Sequence, residues 1–268
     1  MALKKVELGD LSVSQLIIGG NPFSGFSHQG PERDKEMREY YTPQRIKATW
    51  REAETLGINT CIARGDQHII SLLKEYRVEG SRIQWIAQTA SEAPTALEGV
   101  KWALAASPVA CFIHGGVVMH LLAQGREDLL REAVQAIKDT GLPAGIASHQ
   151  PASFVWAEEH LDCDFYMCSY YDPARRDQNP RYDPRSNERF REEDRQAMAA
   201  MIQKLRPPVI HYKVLAAGRQ DPRSAFEFVA KTMRPGDAVC VGFFTKDKAD
   251  MIREDIAILE ESLRKRGL

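Results

Sequence analysis

Short apolar runs recur along the whole chain, and a stretch with helical spacing follows each of them. The runs are rich in β-branched residues and almost continuously apolar, which is typical of parallel strands buried on both faces. A closed parallel barrel needs eight such strands. We expect the strands at Gln15–Gly19, Ile58–Ala63, Ile83–Gln88, Val109–His114, Ala144–Ser148, Asp164–Ser169, Val209–Val214 and Ala238–Phe243.

The stretches between the runs carry their apolar residues on one helical face. In the last of them, Ile252, Ile256 and Leu259 recur at helical spacing. Several stretches end in a glycine directly before the next strand, where a left-handed residue stops a helix. These glycines are Gly57, Gly80, Gly141 and Gly236. The alternation predicts an α/β fold, a (β/α)8 TIM barrel that forms a single domain over residues 1–268.

The composition is that of an ordinary globular protein. The 268 residues are 43% hydrophobic and 27% charged, which is enough apolar material for a sizeable core. The 36 basic and 37 acidic residues nearly balance, so the charge gives no basis for a nucleic-acid partner. No apolar run approaches the roughly 20 residues that cross a bilayer, and the start lacks the apolar stretch of a signal peptide. We therefore expect a cytoplasmic protein with a small-molecule substrate and no membrane partner.

The five cysteines lack close paired spacing. Their odd number argues against a disulfide framework, and their spacing argues against a zinc knuckle. Cys61, Cys111 and Cys240 lie inside apolar runs, where a free thiol packs as a small hydrophobic group. We expect all of them to be reduced.

Two connections are longer than the usual few residues of a barrel loop. One spans residues 21–42 after the first strand, and the other spans residues 170–187 after the sixth. Both follow the carboxyl ends of strands, which is the face on which such barrels carry their sites. The two loops are predicted to be binding loops or lids, although surface insertions would have the same length.

Segments spread along the chain resemble the aldo/keto reductases in the order in which that family has them. The start resembles the passage into the family's first strand, and later pieces resemble its second, fourth, fifth and seventh strands and its closing helix. The segments are VELGDLSVSQLIIGGNPFSG, AETLGINT, CFIHGG, TGLPAGIASHQP, PPVIHYKVLAAGR and VGFFTKDKADMIREDI. The resemblance implies the barrel fold across nearly the whole chain.

The catalytic tetrad that the resemblance implies is mostly replaced. The family uses Asp, Tyr, Lys and His, and the chain has Ile62 in place of the Asp and Gln67 in place of the Tyr. The third strand ends in Gln88-Thr89, where the family has its Lys, and His114 alone matches. Since an apolar side chain and an amide cannot donate a proton to a carbonyl oxygen, ordinary carbonyl reduction is not supported.

The NADP contacts that the resemblance implies are also altered. Ser148 and Met167 stand where the family holds the nicotinamide, and Met251 and Asp255 stand where it holds the adenosine phosphate. A carboxylate beside a phosphate would be repulsive. Lys246, before the last helix, is the remaining candidate for a cofactor phosphate.

Polar residues at the strand ends are the candidates for the site, because a parallel barrel brings all strand ends to one bowl. For catalysis we expect His114, Asp66, His149 and Lys213. For substrate binding we expect Asn21, Arg64, Gln88, Tyr170, Arg176 and Arg181.

Each candidate has an alternative role. His114 would act as acid, base or hydrogen-bond donor, or it would bond a loop carbonyl. His149 would serve as a base, a ligand or a cap of the next helix. Lys213 would act as a base or form a Schiff base, or it would anchor a phosphate or a carboxylate. The arginines of the second loop indicate an anionic substrate unless the loop's own acidic residues neutralise them.

A divalent metal is a further hypothesis. His114 and His149, with Asp66 or His68, would supply imidazole and carboxylate ligands. No HxH or HExxH spacing supports it.

Three functions remain open at this point. The first is proton-transfer chemistry on a small polar or anionic metabolite, by a lyase, isomerase or hydrolase. The second is an NADP-dependent oxidoreductase with an atypical cofactor site and a loop tyrosine such as Tyr170 as the acid. The third is a non-catalytic ligand-binding barrel. The fold cannot choose among them.

Overall fold

The eight predicted apolar runs form the eight parallel strands of a closed barrel. A computed structural model describes residues 3–267. Two further strands form an antiparallel hairpin before the barrel. The strands are β1 (Lys5–Leu8), β2 (Leu11–Ser14), β3 (Leu16–Gly19), β4 (Thr60–Arg64), β5 (Gln84–Gln88), β6 (Ala110–Ile113), β7 (Ala144–Ser148), β8 (Phe165–Ser169), β9 (Val209–Tyr212) and β10 (Ala238–Gly242).

Each barrel strand pairs in parallel with the next one along the chain, and β10 closes the barrel against β3. The register places Arg64 opposite Gln88 at the ends of β4 and β5. The predicted (β/α)8 TIM barrel in one domain is therefore confirmed.

Helices cover the outside of the barrel. They are α1 (Pro31–Tyr40), α2 (Pro43–Thr55), α3 (Gln67–Val78), α4 (Ala96–Leu104), α5 (Gly115–Ala123), α6 (Glu127–Lys138), α7 (Pro151–His160), α8 (Glu192–Ile202), α9 (Pro222–Thr232) and α10 (Met251–Arg266). Hydroxyl and carboxylate side chains at Thr42, Asp66, Thr95 and Asp221 accept hydrogen bonds from the first turns of α2, α3, α4 and α9. Gly57 and Gly141 have φ values of 93° and 77°, the left-handed conformation predicted for them.

The core has two layers. One fills the space between the strands and the helices and includes Trp50, Trp85 and Phe226. The other fills the barrel interior and includes Phe112 and Phe165, whose rings meet edge to face with centroids 6.2 Å apart.

The β1–β2 hairpin closes the end of the barrel at which the strands begin. Its Val6 and Val13 pack with the interior layer. The backbone oxygen of Ser12 accepts hydrogen bonds from Asn59 Nδ2 at 3.1 Å and from Gln84 Nε2 at 2.9 Å. With that end closed, the barrel opens at the carboxyl ends of its strands.

The two long connections differ in structure. Residues 21–42 contain α1 and a 3-10 turn at Pro22–Ser24, so they are more ordered than a plain loop. Residues 170–191 reach α8 without a helix or a strand. Among residues 3–267, no helix is both long and apolar enough to span a bilayer.

Candidate active site

The two long connections meet over the open end of the barrel. The backbone N–H of Ser27 donates to Asp34 Oδ1 at 2.8 Å, and the Tyr182 hydroxyl donates to the same carboxylate at 3.1 Å. The backbone N–H of His28 donates to the Tyr182 oxygen at 3.2 Å, and the Tyr182 ring packs edge to face on Phe26. A buried carboxylate thus joins the two connections into one roof.

The loop after β9 also holds this roof. Gln29 Nε2 donates to the backbone oxygen of Ala217 at 2.7 Å, and Arg219 Nη2 donates to that of His28 at 2.8 Å. Three chain segments far apart in sequence therefore enclose the space above the barrel.

Two connected spaces lie under the roof. The smaller, termed the inner cavity, has a volume of about 50 Å³; the larger, termed the outer chamber, has about 230 Å³ and is lined by barrel-interior residues such as Ile62 and Met167 as well as by the loops. The inner cavity is lined by Asn21, Phe26, His28, Arg64, Gln88, Ser91, His114, Gly115, His149, Pro173, Arg176, Tyr182, Tyr212 and Lys213. Seven of the sequence-predicted candidates lie in that lining: Asn21, Arg64, Gln88, His114, His149, Arg176 and Lys213.

Lys213 reaches the cavity because the chain leaves the strand pattern at this residue. Along β9, Ile210 faces the barrel interior and His211 faces outward, so regular alternation would also point Lys213 outward. Lys213 instead has φ 57°, in the left-handed region, and its side chain lines the cavity. The side chains of His211 and Lys213 therefore lie on different sides of the barrel wall.

Lys213 begins a chain of polar contacts that runs along the cavity wall. Its Nζ lies 2.8 Å from His28 Nε2, and His28 Nδ1 lies 2.7 Å from Glu188 Oε2. The other oxygen of Glu188 accepts from Arg176 Nη2 at 2.8 Å. Because the carboxylate faces Nδ1, that nitrogen carries the proton of neutral His28, and Nε2 accepts from the lysine.

These contacts set the protonation states. Burial lowers the pKa of Lys213 to about 8; the charge of Glu188 opposes this shift, and that of Arg176 adds to it. Burial, with the charge of Lys213, lowers the pKa of His28 to about 4. Burial alone would raise the pKa of Glu188, but its contact with His28 lowers it to about 2. Near neutral pH, His28 is neutral, Glu188 is ionised and a minor fraction of Lys213 is the neutral amine.

His114 and His149 face the cavity as neutral imidazoles. Burial, with the charges of Arg64 and Arg176, lowers the pKa of His114 to about 3. Burial, with the charge of Lys213, lowers the pKa of His149 well below its usual value. His114 Nδ1 accepts from the backbone N–H of the second α5 residue at 3.2 Å, which leaves the proton on Nε2.

Two buried polar atoms on the cavity wall have no hydrogen-bond partner among residues 3–267. They are Nδ1 of His149 and Oγ of Ser91. Since buried polar groups are nearly always paired, such atoms indicate where a ligand or water bonds.

Arg64 and Gln88 complete the wall on the β4–β5 side. Arg64 Nε donates to Asp66 Oδ2 at 3.0 Å, and its guanidinium also pairs with Glu92 and lies 4.7 Å from the centre of the Phe26 ring. Asp66 caps α3, since its carboxylate accepts from the backbone N–H of Ile69 at 3.0 Å. The structure thus places Asp66 behind Arg64, and the cavity lining does not include it.

Other predicted site residues lie away from the cavity. Tyr170 is fully buried in the helix layer, with its oxygen 3.0 Å from His211 Nδ1, because it follows the outward positions of β8. Arg181 is exposed on the second loop, and its backbone oxygen accepts from Arg176. His68 is exposed on α3. The structure therefore does not bring these three side chains together with His114.

The arrangement of residues 3–267 does not supply the ligands for the metal ion considered above. No group of three or more His, Cys, Asp or Glu side chains in residues 3–267 is placed to hold a metal ion.

The residues before α10 do not fit the phosphate of the NADP that the aldo/keto reductase resemblance implies. Lys246 pairs with Glu36 at 2.7 Å, and Arg33 pairs with Asp247. Burial raises the pKa of the nearby Asp255 carboxyl to about 7. The cations of this rim are engaged by carboxylates, so the rim offers no free cation to the phosphate of a nicotinamide cofactor.

Sequence reasoning missed His28, Glu188 and Ser91 as members of the site. His28 and Glu188 are 160 residues apart; His28 lies in the first long connection, and Glu188 lies one residue beyond the predicted end of the second, in the irregular segment that continues to α8. Their position in or next to those connections was the available signal, but the folding of one loop against the other cannot be deduced from local pattern.

Comparisons with known proteins bear on the fold. No family model matches the chain, and no curated protein matches its sequence. A structure of a Pseudomonas aeruginosa protein assigned to the aldo-keto reductases has a TM-score of 0.66 at 18% identity, over 97% of this chain and 96% of that one. A glycerol dehydrogenase of Gluconobacter oxydans has a TM-score of 0.56 at 12% identity, over 96% of each chain.

The likeness is not confined to that superfamily. A truncated 3-deoxy-D-arabino-heptulosonate 7-phosphate synthase of Thermotoga maritima has a TM-score of 0.54 at 11% identity, over 99% of this chain and 91% of that one. At these identities the likeness shows the fold alone, and the reaction has to be argued from the site.

Proposed function

We propose that the protein is an enzyme that binds a small anionic metabolite in the inner cavity and transforms it by proton transfer, with Lys213 as the principal proton-transfer group. The observation that carries the proposal is the contact chain from Lys213 through His28 to Glu188 on the wall of an enclosed cavity. A lysine that titrates near neutral pH beside an oriented histidine is an arrangement suited to acid–base catalysis.

The charge of the cavity wall supports an anionic substrate. Arg64, Arg176 and Lys213 face the inner cavity, and its lining in the described part of the chain contains no Asp or Glu. Arg176 pairs with Glu188, and Arg64 pairs with Asp66 and Glu92, so the carboxylates that accompany both guanidinium groups lie outside the lining. Guanidinium groups hold carboxylate and phosphate oxygens through paired hydrogen bonds.

Each polar group then has a defined task. The neutral amine of Lys213 accepts a proton from the substrate, and His28, held by Glu188 through its other ring nitrogen, orients that amine. His114 donates a hydrogen bond from Nε2 to a substrate oxygen, which stabilises negative charge that develops there. His149 and Ser91 bond the remaining oxygens.

A binding panel tests the proposal. Acetate, pyruvate, malonate and inorganic phosphate are titrated at low salt, with thermal shift and ligand-observed NMR as readouts. We expect millimolar or tighter binding of at least one anion, and at least about tenfold weaker binding by Arg176→Gln. Arg181→Gln is the matched control in the same loop, because Arg181 is exposed and lies outside the lining.

Two outcomes oppose the proposal. If no anion of the panel binds, the cavity is not an anion site. If an anion binds and the anion-bound protein never exchanges a proton with it, the protein is a ligand-binding barrel.

A further inference from the structure

We propose that Lys213 forms an imine with its substrate, and that the substrate is a small acid with an aldehyde or ketone group next to, or one carbon from, its carboxylate. This inference rests on the proposed function and specifies its substrate class. It follows from how the amine is held, from where the cavity offers bonds to an anion, and from the shape of the enclosed space.

The amine is free to react. Among residues 3–267, Lys213 makes no ion pair, and its close polar contact is the neutral ring of His28. The nearest carboxylate in the contact chain, that of Glu188, lies beyond this ring and bonds its other nitrogen. A lysine locked against a carboxylate would remain a charged ammonium, whereas this amine keeps its lone pair accessible from the cavity.

The surroundings also disfavour the ammonium form. Burial lowers the pKa of Lys213 to about 8; the charge of Glu188 opposes this shift, and the charges of Arg176 and Arg219 add to it. Lysines with lowered pKa values are the ones that add to carbonyl carbons near neutral pH. The geometry of the Lys213 amine and its lowered pKa thus both favour addition of the amine to a carbonyl carbon.

The carboxylate of the substrate would bind to polar residues of the inner cavity other than Lys213. Nδ1 of His149 and Oγ of Ser91 are buried without partners in the described chain, and both residues line the same cavity as Arg64. A carboxylate there satisfies both orphan atoms, with Nδ1 of His149 protonated as the donor. Because the inner cavity has a volume of only about 50 Å³, an acid held in this way brings a neighbouring carbonyl carbon to Lys213.

The part of the substrate beyond its carbonyl group would lie in the outer chamber. Its volume is about 230 Å³, and its wall includes Met37, Val241 and Phe244. An apolar extension beyond the carbonyl fits such a wall better than a second charge does. We therefore expect 2-oxo acids with short alkyl chains to bind better than dicarboxylic acids.

The covalent step balances with the groups present. The lone pair of the neutral amine forms the C–N bond, and the C=O π pair moves to oxygen, which takes up a proton. His28 Nε2 removes one N–H proton and returns it to the hydroxyl, which leaves as water. Amine, carbonyl and one proton thus give a protonated imine and water. The imine withdraws electrons and acidifies the adjacent C–H bond; because the nitrogen of Lys213 is then bonded to carbon, His28 Nε2 is the base that takes up this proton.

Reductive trapping tests the inference. The protein is incubated with pyruvate, 2-oxobutyrate or 4-methyl-2-oxopentanoate and sodium cyanoborohydride, and its intact mass and peptides are measured. We expect one reduced adduct per chain, located on the peptide that contains Lys213. Lys213→Arg should give none, and Lys204→Arg, at an exposed lysine, should behave as the wild type does. Peptide mapping of the wild type decides the question even if Lys213→Arg fails to fold.

Binding of the same acids is measured in parallel by ligand-observed NMR. If the acids bind and Lys213 carries no adduct, the imine is refuted and the proposed function stands. If none of them binds and none is trapped, the imine is refuted, and the anion panel described above then decides the proposed function. Adducts spread evenly over surface lysines also refute the imine.

Discussion

The side chain of Lys213 lies in the cavity because of the backbone conformation of this one residue. A left-handed residue at the end of β9 redirects the side chain from the helix layer to the substrate space. Non-glycine residues in this region cost of order 1 kcal/mol or more, and they persist where the surrounding structure holds them. Ala216 and Ala217, in the same loop, also have positive φ values, so the whole turn is strained.

The buried amine should cost stability below its pKa. The folded pKa of about 8 lies below the usual 10.5, so the unfolded chain binds the proton more tightly and stability rises with pH between these values. Lys213→Met should therefore be more stable than the wild type at pH 7, by about 3 kcal/mol at most. The advantage should shrink above pH 8 and vanish near pH 10.5.

Urea unfolding at pH 7, 9 and 10.5 measures this difference. Lys204→Met is the control, since that lysine is exposed. A destabilised Lys213→Met protein at pH 7 would show that the amine contributes to folding rather than to chemistry.

Asp237 illustrates a buried charge with the opposite effect on stability. Burial would raise its pKa, but hydrogen bonds with His211 and Arg234 outweigh it and lower the pKa to about 2. Since the folded pKa lies below the usual 3.8, the ionised carboxylate stabilises the fold above pH 3.8, and this contribution is lost as the pH falls through 2.

Asp237→Asn should lower the free energy of unfolding by about 3 kcal/mol at pH 7, because it leaves Arg234 without its carboxylate. The difference from the wild type should decrease as the pH falls towards 2, in chemical unfolding curves. Asp162→Asn, at a side chain that is 90% exposed, should change stability by less than about 0.5 kcal/mol. A pH-independent difference would contradict the assigned role.

At the scale of elements, the second loop is the part that closes the site. It packs against the start of α5, where the absence of a Cβ at Gly116 leaves room for the Pro180 carbonyl. An added Cβ would overlap this oxygen. Neither the helix backbone at Gly116 nor the backbone carbonyl of Pro180 can move away without a cost in free energy.

Gly116→Ala should therefore loosen the loop. We expect faster amide hydrogen exchange over residues 173–191 and weaker anion binding, with little change elsewhere. Gly99→Ala, where the added Cβ would meet its neighbours at 3.4 Å, is the matched helical control. Equal exchange in the two variants would show that the loop is not held at this contact.

The elements were more predictable than the site. Apolar runs located the barrel strands because buried parallel strands carry a strong local pattern. Strand ends also indicated Arg64, Gln88 and His114 as neighbours, since closure of the barrel brings them together. His28 and Glu188 could not be predicted, because their contact depends on two loops folding against each other.

At the scale of the whole molecule, the two ends of the barrel serve different purposes. The hairpin fills one end with apolar side chains such as Val13, which is fully buried. The other end holds the charged cavity under its roof. Stability and ligand binding should therefore respond to different substitutions.

Val13→Ala should lower the free energy of unfolding by about 2 kcal/mol, as expected when buried methyl groups are removed. Anion binding at the opposite end should be unchanged. Lys5→Ala, at an exposed position of β1, should leave both quantities unchanged. Reduced anion binding by Val13→Ala in folded protein would contradict the separation of the two ends.

The central claim is that Lys213 transfers protons to and from a small acid bound in the inner cavity. Proton NMR of pyruvate and 2-oxobutyrate in deuterium oxide tests it most directly, because exchange of the C–H next to the carbonyl reports proton transfer without knowledge of the natural product. The account predicts exchange roughly 100-fold faster than in buffer for the wild type and for Arg181→Gln, and background exchange for Lys213→Met. Background exchange with the wild type, or equal exchange with Lys213→Met, would contradict it.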